Sequence, residues 1–307
     1  MPFETTATIA SFGGKLLKLA HKATSTSCEM KLNLYLPPQS SSSDKKIPVL
    51  FYLAGLTCTG DNGAEKGFLQ HAASKKGIAV VYPDTSPRGL QIEGEDDAYD
   101  FGSGAGFYVD ATKEPWTKGY KMYTYITEEL PKALFESFKQ LDGSRMSITG
   151  HSMGGHGALT IFLKNPGKYR SVSAFAPISN PINCPWGEKA FKGYFGEDQQ
   201  QKWKEHDASE LVKQWKGPLD ILIDVSQTNV YLNSQLTIPS HPAQGTGDNF
   251  YKQGQLLPEN FVKAAKESGD DKKVELRMQP DYDHSYFFIS TFADDHVEHA
   301  AKHLLAW

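Results

Sequence analysis

Residues 148–156 read Ile148-Thr149-Gly150-His151-Ser152-Met153-Gly154-Gly155-His156, and they hold the best candidate nucleophile in the chain. An apolar stretch with Met146 and Ile148 leads in, and a helix-forming run from Ala158 to Leu163 follows. In that context Gly-x-Ser-x-Gly is a nucleophile elbow, a sharp strand-to-helix turn that lifts the serine hydroxyl to the sheet edge. Glycines at 150 and 154 leave room where a Cβ would collide. A serine hydroxyl is a weak nucleophile near neutral pH. It needs an imidazole base, and the imidazole needs a carboxylate to fix its tautomer and stabilise the imidazolium. The chemistry expected is acyl transfer through Ser152.

With such an elbow the chain order is serine, acid, histidine. His284 fits the base: Asp281-Tyr282-Asp283-His284-Ser285 follows an apolar strand and precedes a C-terminal helix. His296, His299 and His303 lie on that helix and read as surface or helix-packing residues. His151 and His156 read as packing and hydrogen-bonding residues around the turn, because a residue so close in sequence rarely swings back onto Ser152. Two acids compete. Asp224 lies inside an apolar strand run, buried but poorly placed to reach out; Asp248 ends a loop, Ser226 to Gly247, that contains no Asp, Glu, Lys or Arg. Asp283, beside the base, reads as structural. An oxyanion hole needs two backbone N–H groups. Met153 supplies one by position, and Leu56, in the loop after an early strand, is the candidate for the other.

The elements that must position these residues alternate between strand-like and helix-like, which argues a largely parallel α/β sheet. Buried-strand runs fall at Val49–Leu53, Ile78–Tyr82, Arg145–Thr149, Val172–Phe175, Leu219–Val225 and Val274–Met278. Helical stretches lie around Tyr123–Leu141, His156–Asn165, Leu257–Ser268 and Ser285–Leu305. Phe288, Phe292, His296, Ala300 and Leu304 recur every four residues and form one packing face. Leu32, Leu34 and Leu36 alternate like an antiparallel lead-in strand. Ser40 to Lys46 reads as a solvated hairpin tip. With no repeat and no linker, a single domain over residues 1–307 is expected.

Composition narrows the function. The chain of 307 residues is 39% hydrophobic and 22% charged, with a net charge of −4 and no Lys/Arg block. That gives no reason to expect nucleic acid. No apolar run approaches the roughly 20 residues that span a membrane. The opening residues lack the basic and apolar regions of a signal peptide, and the closing residues match no retention or lipidation signal. Cys28, Cys58 and Cys184 are odd in number and far apart, so no disulfide framework is expected and the cytosol is the simplest home. Cysteines and histidines show no zinc-ligand spacing of the CxxC or HExxH kind, so no metal is expected in the chemistry.

Longer motifs carry a resemblance. Leu53-Ala54-Gly55-Leu56-Thr57-Cys58-Thr59, Pro83 to Gly89 (PDTSPRG), Asp100 to Thr112 (DFGSGAGFYVDAT), Tyr123 to Pro131 (YTYITEELP) and the elbow GHSMGGHGAL run almost end to end. They continue in Asn183-Cys184-Pro185-Trp186-Gly187, Gly254 to Pro258 (GQLLP) and Tyr282 to Tyr286 (YDHSY). Together they resemble the S-formylglutathione hydrolase (esterase D) family over about nine-tenths of the chain. The resemblance implies an α/β-hydrolase fold, a mostly parallel central sheet flanked by helices on both faces. It also implies a cofactor-free serine thioesterase, cytoplasmic and usually homodimeric, that hydrolyses S-formylglutathione to formate and glutathione in formaldehyde detoxification.

By the same resemblance the nucleophile falls on Ser152, the base on His284 and the oxyanion donors on Leu56 and Met153. The acid falls on Asp248 of an Asp-x-Phe motif, which decides against Asp224. Cys58 falls at a thiol-sensitive position, and Trp186 at the border of the acyl pocket. Where the family has a few residues before this Asp, Ser226 to Gly247 is an insertion. Its Val230, Tyr231, Leu232, Leu236 and Ile238 need cover, at a dimer interface or the pocket rim. The residues gripping the glutathione carboxylates stay open; Arg88, Lys66 and Lys118 lie near the motifs, and a solvated lysine is the default for the last two. The rival readings are a broad small-acyl carboxylesterase, an acyltransferase, and a non-catalytic binding protein, which would be expected to have lost triad residues.

Overall fold

The computed structural model describes residues 2–41, 45–227, 247–269 and 272–306. Among these, nine strands form one sheet in the order β1-β2-β3-β5-β4-β6-β7-β8-β9. The ranges are β1 Phe3–Ser11, β2 Gly14–Ala23, β3 Cys28–Leu36, β4 Ile47–Leu53, β5 Ala79–Pro83, β6 Leu141–His151, β7 Val172–Phe175, β8 Leu219–Gln227 and β9 Lys272–Pro280. β1 to β3 form an antiparallel meander that joins β5 antiparallel, and β5 to β9 are parallel throughout. The architecture is of the α/β-hydrolase type, as expected.

Burial follows the pairing. Every residue of β4, β5 and β7 is buried, as befits central parallel strands covered on both faces. β1, at the sheet edge, is mostly exposed. All six apolar runs read from the sequence are strands. β6 starts four residues earlier than read, so the preceding helical segment ends at Ser137 rather than Leu141. The strands β1 and β2 do not show in the sequence pattern, because lysines and threonines hide their alternation. The hairpin expected around Ser40 to Lys46 is not one: β3 and β4 are separated by β5, so this connection crosses over a strand. Residues 42–44 lie outside the described residues.

The C-terminal helix, Tyr286–Leu304, buries Phe288, Ile289, Ala293, His296, Val297, Ala300, Ala301 and Leu304. Phe288, His296, Ala300 and Leu304 of the four-residue recurrence read from the sequence are in this stripe, with Phe292 only partly buried beside it. The elbow helix, Met153–Lys164, is buried over its first eleven residues. Loops after β4, β6, β8 and β9 all emerge at the carboxyl edge of the sheet, where open parallel sheets place their ligands.

Candidate active site

Ser152 stands between β6 and the elbow helix with φ 58° and ψ −117°, in the left-handed region that a non-glycine residue adopts only under constraint. Its amide donates to the Phe175 carbonyl at 2.9 Å, and its carbonyl accepts from His156 and Ile178 at 3.0 and 3.2 Å. The flanking glycines are obligatory. A Cβ on Gly150 would sit 2.2 Å from the Gly154 carbonyl oxygen, and one on Gly154 would sit 2.0 Å from that of Leu53. Both lie well inside contact distance, so the elbow packs backbone against backbone. The first turn of the elbow helix, with its free N–H groups and positive dipole end, begins at Met153.

The loop after β4 approaches this elbow closely. A Cβ on Gly55 would lie 3.1 Å from Cβ of Ser152. Residues 55–58 close a turn through the Cys58 amide on the Gly55 carbonyl at 3.3 Å, with Thr57 at φ 67°. A β-branched residue there is strained. Sequence reasoning overlooked what braces it. The glycine-rich run DFGSGAG holds the turn: the Thr57 amide donates to the Gly104 carbonyl at 2.9 Å, and the Ser86 hydroxyl accepts from the Gly104 amide at 2.7 Å. Tyr108 Oη donates to the Ala54 carbonyl at 2.8 Å, and Thr85 and Arg88 both donate to that of Cys58. The motif was legible; its partner was not.

His284 and Asp248 meet. Asp248 is fully buried and caps the short helix Asn249–Lys252, accepting from the amides of Phe250 and Tyr251 at 2.8 and 3.2 Å through Oδ1. Its Oδ2 lies 2.5 Å from Nδ1 of His284. The Nε2 of His284 is buried without a hydrogen-bond partner among the described residues. Phe250 packs edge-on against the His284 ring at 4.9 Å. Both ends of the segment outside the described residues are tied to the turn before His284. The Gly247 amide and the Ser226 hydroxyl donate to the Tyr282 carbonyl, and the Asp281 amide donates to that of Gln227. The bulk of the insertion, including Val230, Tyr231, Leu232, Leu236 and Ile238, lies outside the described residues.

Asp224 goes elsewhere. It is fully buried and bound by Arg277 at 2.8 and 2.5 Å, Gln279 at 2.7 Å and His296 at 2.9 Å. Burial alone would raise its pKa, but the His296 and Arg277 hydrogen bonds outweigh that and hold it at about 2. His296 stacks on Phe175 at 3.5 Å and is kept neutral by burial, so Arg277 carries the countercharge. Asp283 caps the Ser285 amide and hydroxyl, the structural role expected of it.

Ser152, His284, Leu56, Cys58 and Trp186 line one cleft of about 280 Å³. Trp186 is anchored, its indole N–H donating to Tyr99 Oη at 3.1 Å and its amide to Gln255 at 3.0 Å, with Phe250 packed on its ring at 4.6 Å. Burial raises the Cys58 thiol, which also bonds Tyr286. His156 donates to the Phe107 carbonyl at 3.1 Å, as its reading required. His151 follows that reading only in part: its ring packs 4.5 Å from that of His284, but neither of its nitrogens has a hydrogen-bond partner among the described residues. Burial, and then His284, keep it neutral. A larger recess of about 760 Å³ over β2 and β3 contains no member of this group. Its Lys18 and Arg88 are already paired with Asp61 and Asp84.

The sequence matches the family described as "Putative esterase" over residues 23–299. It is 52% identical to the S-formylglutathione hydrolase of Rattus norvegicus over 298 residues, covering 96% of each chain. It is 50% identical to that of Arabidopsis thaliana, covering 95% of each. The chain belongs to the S-formylglutathione hydrolase family. A solved S-formylglutathione hydrolase from Agrobacterium tumefaciens superposes with a TM-score of 0.87 at 42% identity, over 99% of this chain and all of that one. A hydrolase of this family therefore carries the Ser152 elbow and the His284–Asp248 pair at one edge of its sheet. No helix among the described residues is long and apolar enough to cross a membrane.

Proposed function

We propose that this hydrolase cleaves S-formylglutathione to formate and glutathione, with Ser152 as nucleophile, His284 as base and Asp248 as the acid that orients it. The observation that carries the reading is the 2.5 Å pairing of Asp248 with His284 in the cleft of Ser152, within a chain half identical to enzymes of that name. His284 takes the hydroxyl proton as Ser152 Oγ bonds the formyl carbon. The Leu56 and Met153 amides hold the oxyanion, and the C–S bond breaks as His284 returns the proton to the glutathione thiolate. Water, activated by the same imidazole, then adds to the formyl-serine ester, and formate leaves as Ser152 regains its proton.

Trp186 walls the acyl side, favouring a formyl group over larger acyls, with small carboxylic esters as side substrates. The enzyme works in the cytoplasm as a homodimer, needs no cofactor, and serves formaldehyde detoxification. One domain carries the whole reaction.

The test compares kcat/KM for S-formylglutathione, S-acetylglutathione and p-nitrophenyl acetate in wild type and Ser152→Ala. Strong preference for the formyl thioester, abolished in the variant, supports the reading. Ester activity equal to or above thioester activity makes this a general small-acyl carboxylesterase instead.

A further inference from the structure

At the sheet edge away from the cleft, β8 begins and the C-terminal helix ends. There Asp220 of β8 faces His299 and His303, one helical turn apart. Residues at i and i+4 share a helix face. One donor atom from each of the three residues lies within 4.8 Å of the others. The Nε2 atoms of both histidines are buried without a hydrogen-bond partner among the described residues. His303 Nε2 is 3.3 Å from Asp220 Oδ2, and the two imidazole rings lie 5.2 Å apart. Buried polar atoms are as a rule hydrogen-bonded, so two buried imidazole Nε2 atoms that make no hydrogen bond, one of them only close to a carboxylate, call for a ligand.

We propose that Asp220, His299 and His303 form a binding site for a divalent transition metal such as zinc, a clip between the start of β8 and the end of the C-terminal helix. Two imidazoles and a carboxylate suit zinc, which binds such ligands at about 2.0–2.2 Å in a tetrahedron, water completing the set. Tetrahedral bonds of that length place ligand atoms roughly 3.4 Å apart. The donors therefore close inward by about 1 Å, the scale of a side-chain rotation.

The competing cations are Lys302, 2.6 Å from Asp220 Oδ2, and Lys273, 3.5 Å from Oδ1. Both lysine side chains are about 60% exposed, and exposed ion pairs of this kind are worth only about 0–1 kcal/mol. The metal displaces Lys302, which swings into water. Thirteen helical residues, Tyr286 to Glu298, separate this site from the turn of His284, about 20 Å along the axis, so the metal acts on stability rather than on the reaction.

The test titrates zinc chloride into the chelator-stripped full-length protein by calorimetry, with thermal unfolding in parallel. Cobalt(II) absorbance reads the imidazole ligation. Expected are one equivalent of zinc bound, a raised unfolding midpoint, and at least tenfold weaker binding in His299→Ala and in the more exposed His303→Gln. Lys302→Gln, which removes the competitor, binds zinc more tightly. Absence of binding to wild type, binding retained in both histidine variants, or weaker binding in Lys302→Gln overturns the site. Hydrolysis by His303→Gln separates this from the catalytic reading, since the two sites share no residue.

Discussion

Asp248 reaches His284 with one carboxylate oxygen, at 2.5 Å, while two backbone amides hold the other. A carboxylate at Nδ1 favours the tautomer that carries its proton there and leaves Nε2 as the acceptor. Asp248→Asn keeps the shape of the cap but lets an amide N–H compete for Nδ1. We expect kcat to fall by on the order of 10³–10⁴ with the fold intact, measured by kinetics beside circular dichroism. A loss under tenfold would remove Asp248 from the triad.

Asp224→Asn should do the opposite. It breaks a buried pair, leaving Arg277 without its full countercharge, at a cost of about 3–5 kcal/mol in stability. Activity of the molecules that remain folded should stay near wild type. The Asp224 pKa of about 2 lies below the usual 3.8 of an unfolded aspartate, so its contribution is complete above that value and fades as pH falls toward 2. Urea unfolding of wild type and variant at pH 7 and pH 3 checks both the size and the sign. Intact stability with lost turnover would return the acid role to Asp224.

His156 predicts a second pH dependence at milder acidity. Burial depresses its pKa to about 4, against 6.5 for an ordinary histidine. The unfolded chain therefore binds the proton first, and stability is lost as pH falls from about 6.5 toward 4. The shift corresponds to about 3 kcal/mol. His156→Gln can still donate to the Phe107 carbonyl without titrating, and should flatten this part of the stability profile. An unchanged slope would assign the dependence to other groups.

Cys58 lines the cleft, but burial raises its thiol, so little thiolate is present at neutral pH. Thiol–disulfide reagents should inactivate the enzyme slowly, faster as pH rises, and Cys58→Ser should be protected. Equal inactivation of Cys58→Ser and wild type would place the sensitive thiol elsewhere.

Trp186 lines the cleft, held between Tyr99 and Phe250. In Trp186→Ala the preference for formyl over butyryl groups should drop at least tenfold, read as the ratio of kcat/KM values. A parallel loss on both acyls would instead mean that the indole is only an anchor.

The elbow, the six central strands and the place of His284 between strand and helix were legible in the sequence by itself. Each is a local matter: glycines where backbone meets backbone, apolar runs the length of a buried strand, a histidine between strand and helix. The carboxylate that pairs with His284 was not local. Position gave Asp248 only a slight lead over Asp224, and the family motifs then favoured Asp248. Tertiary structure separates the two, because Arg277 and His296 reach Asp224 from β9 and the C-terminal helix, while Asp248 is returned to His284 by the Tyr282 turn. The same holds for the strain at Thr57, braced by Gly104, and for the insertion of β5 between β3 and β4. His299 and His303 read as plain helix residues until Asp220, some eighty positions earlier, was seen beside them. Steric rules and periodicity act over a few residues and show in any sequence. Which distant side chains share a buried charge depends on how the sheet orders its strands, and only the folded chain contains that.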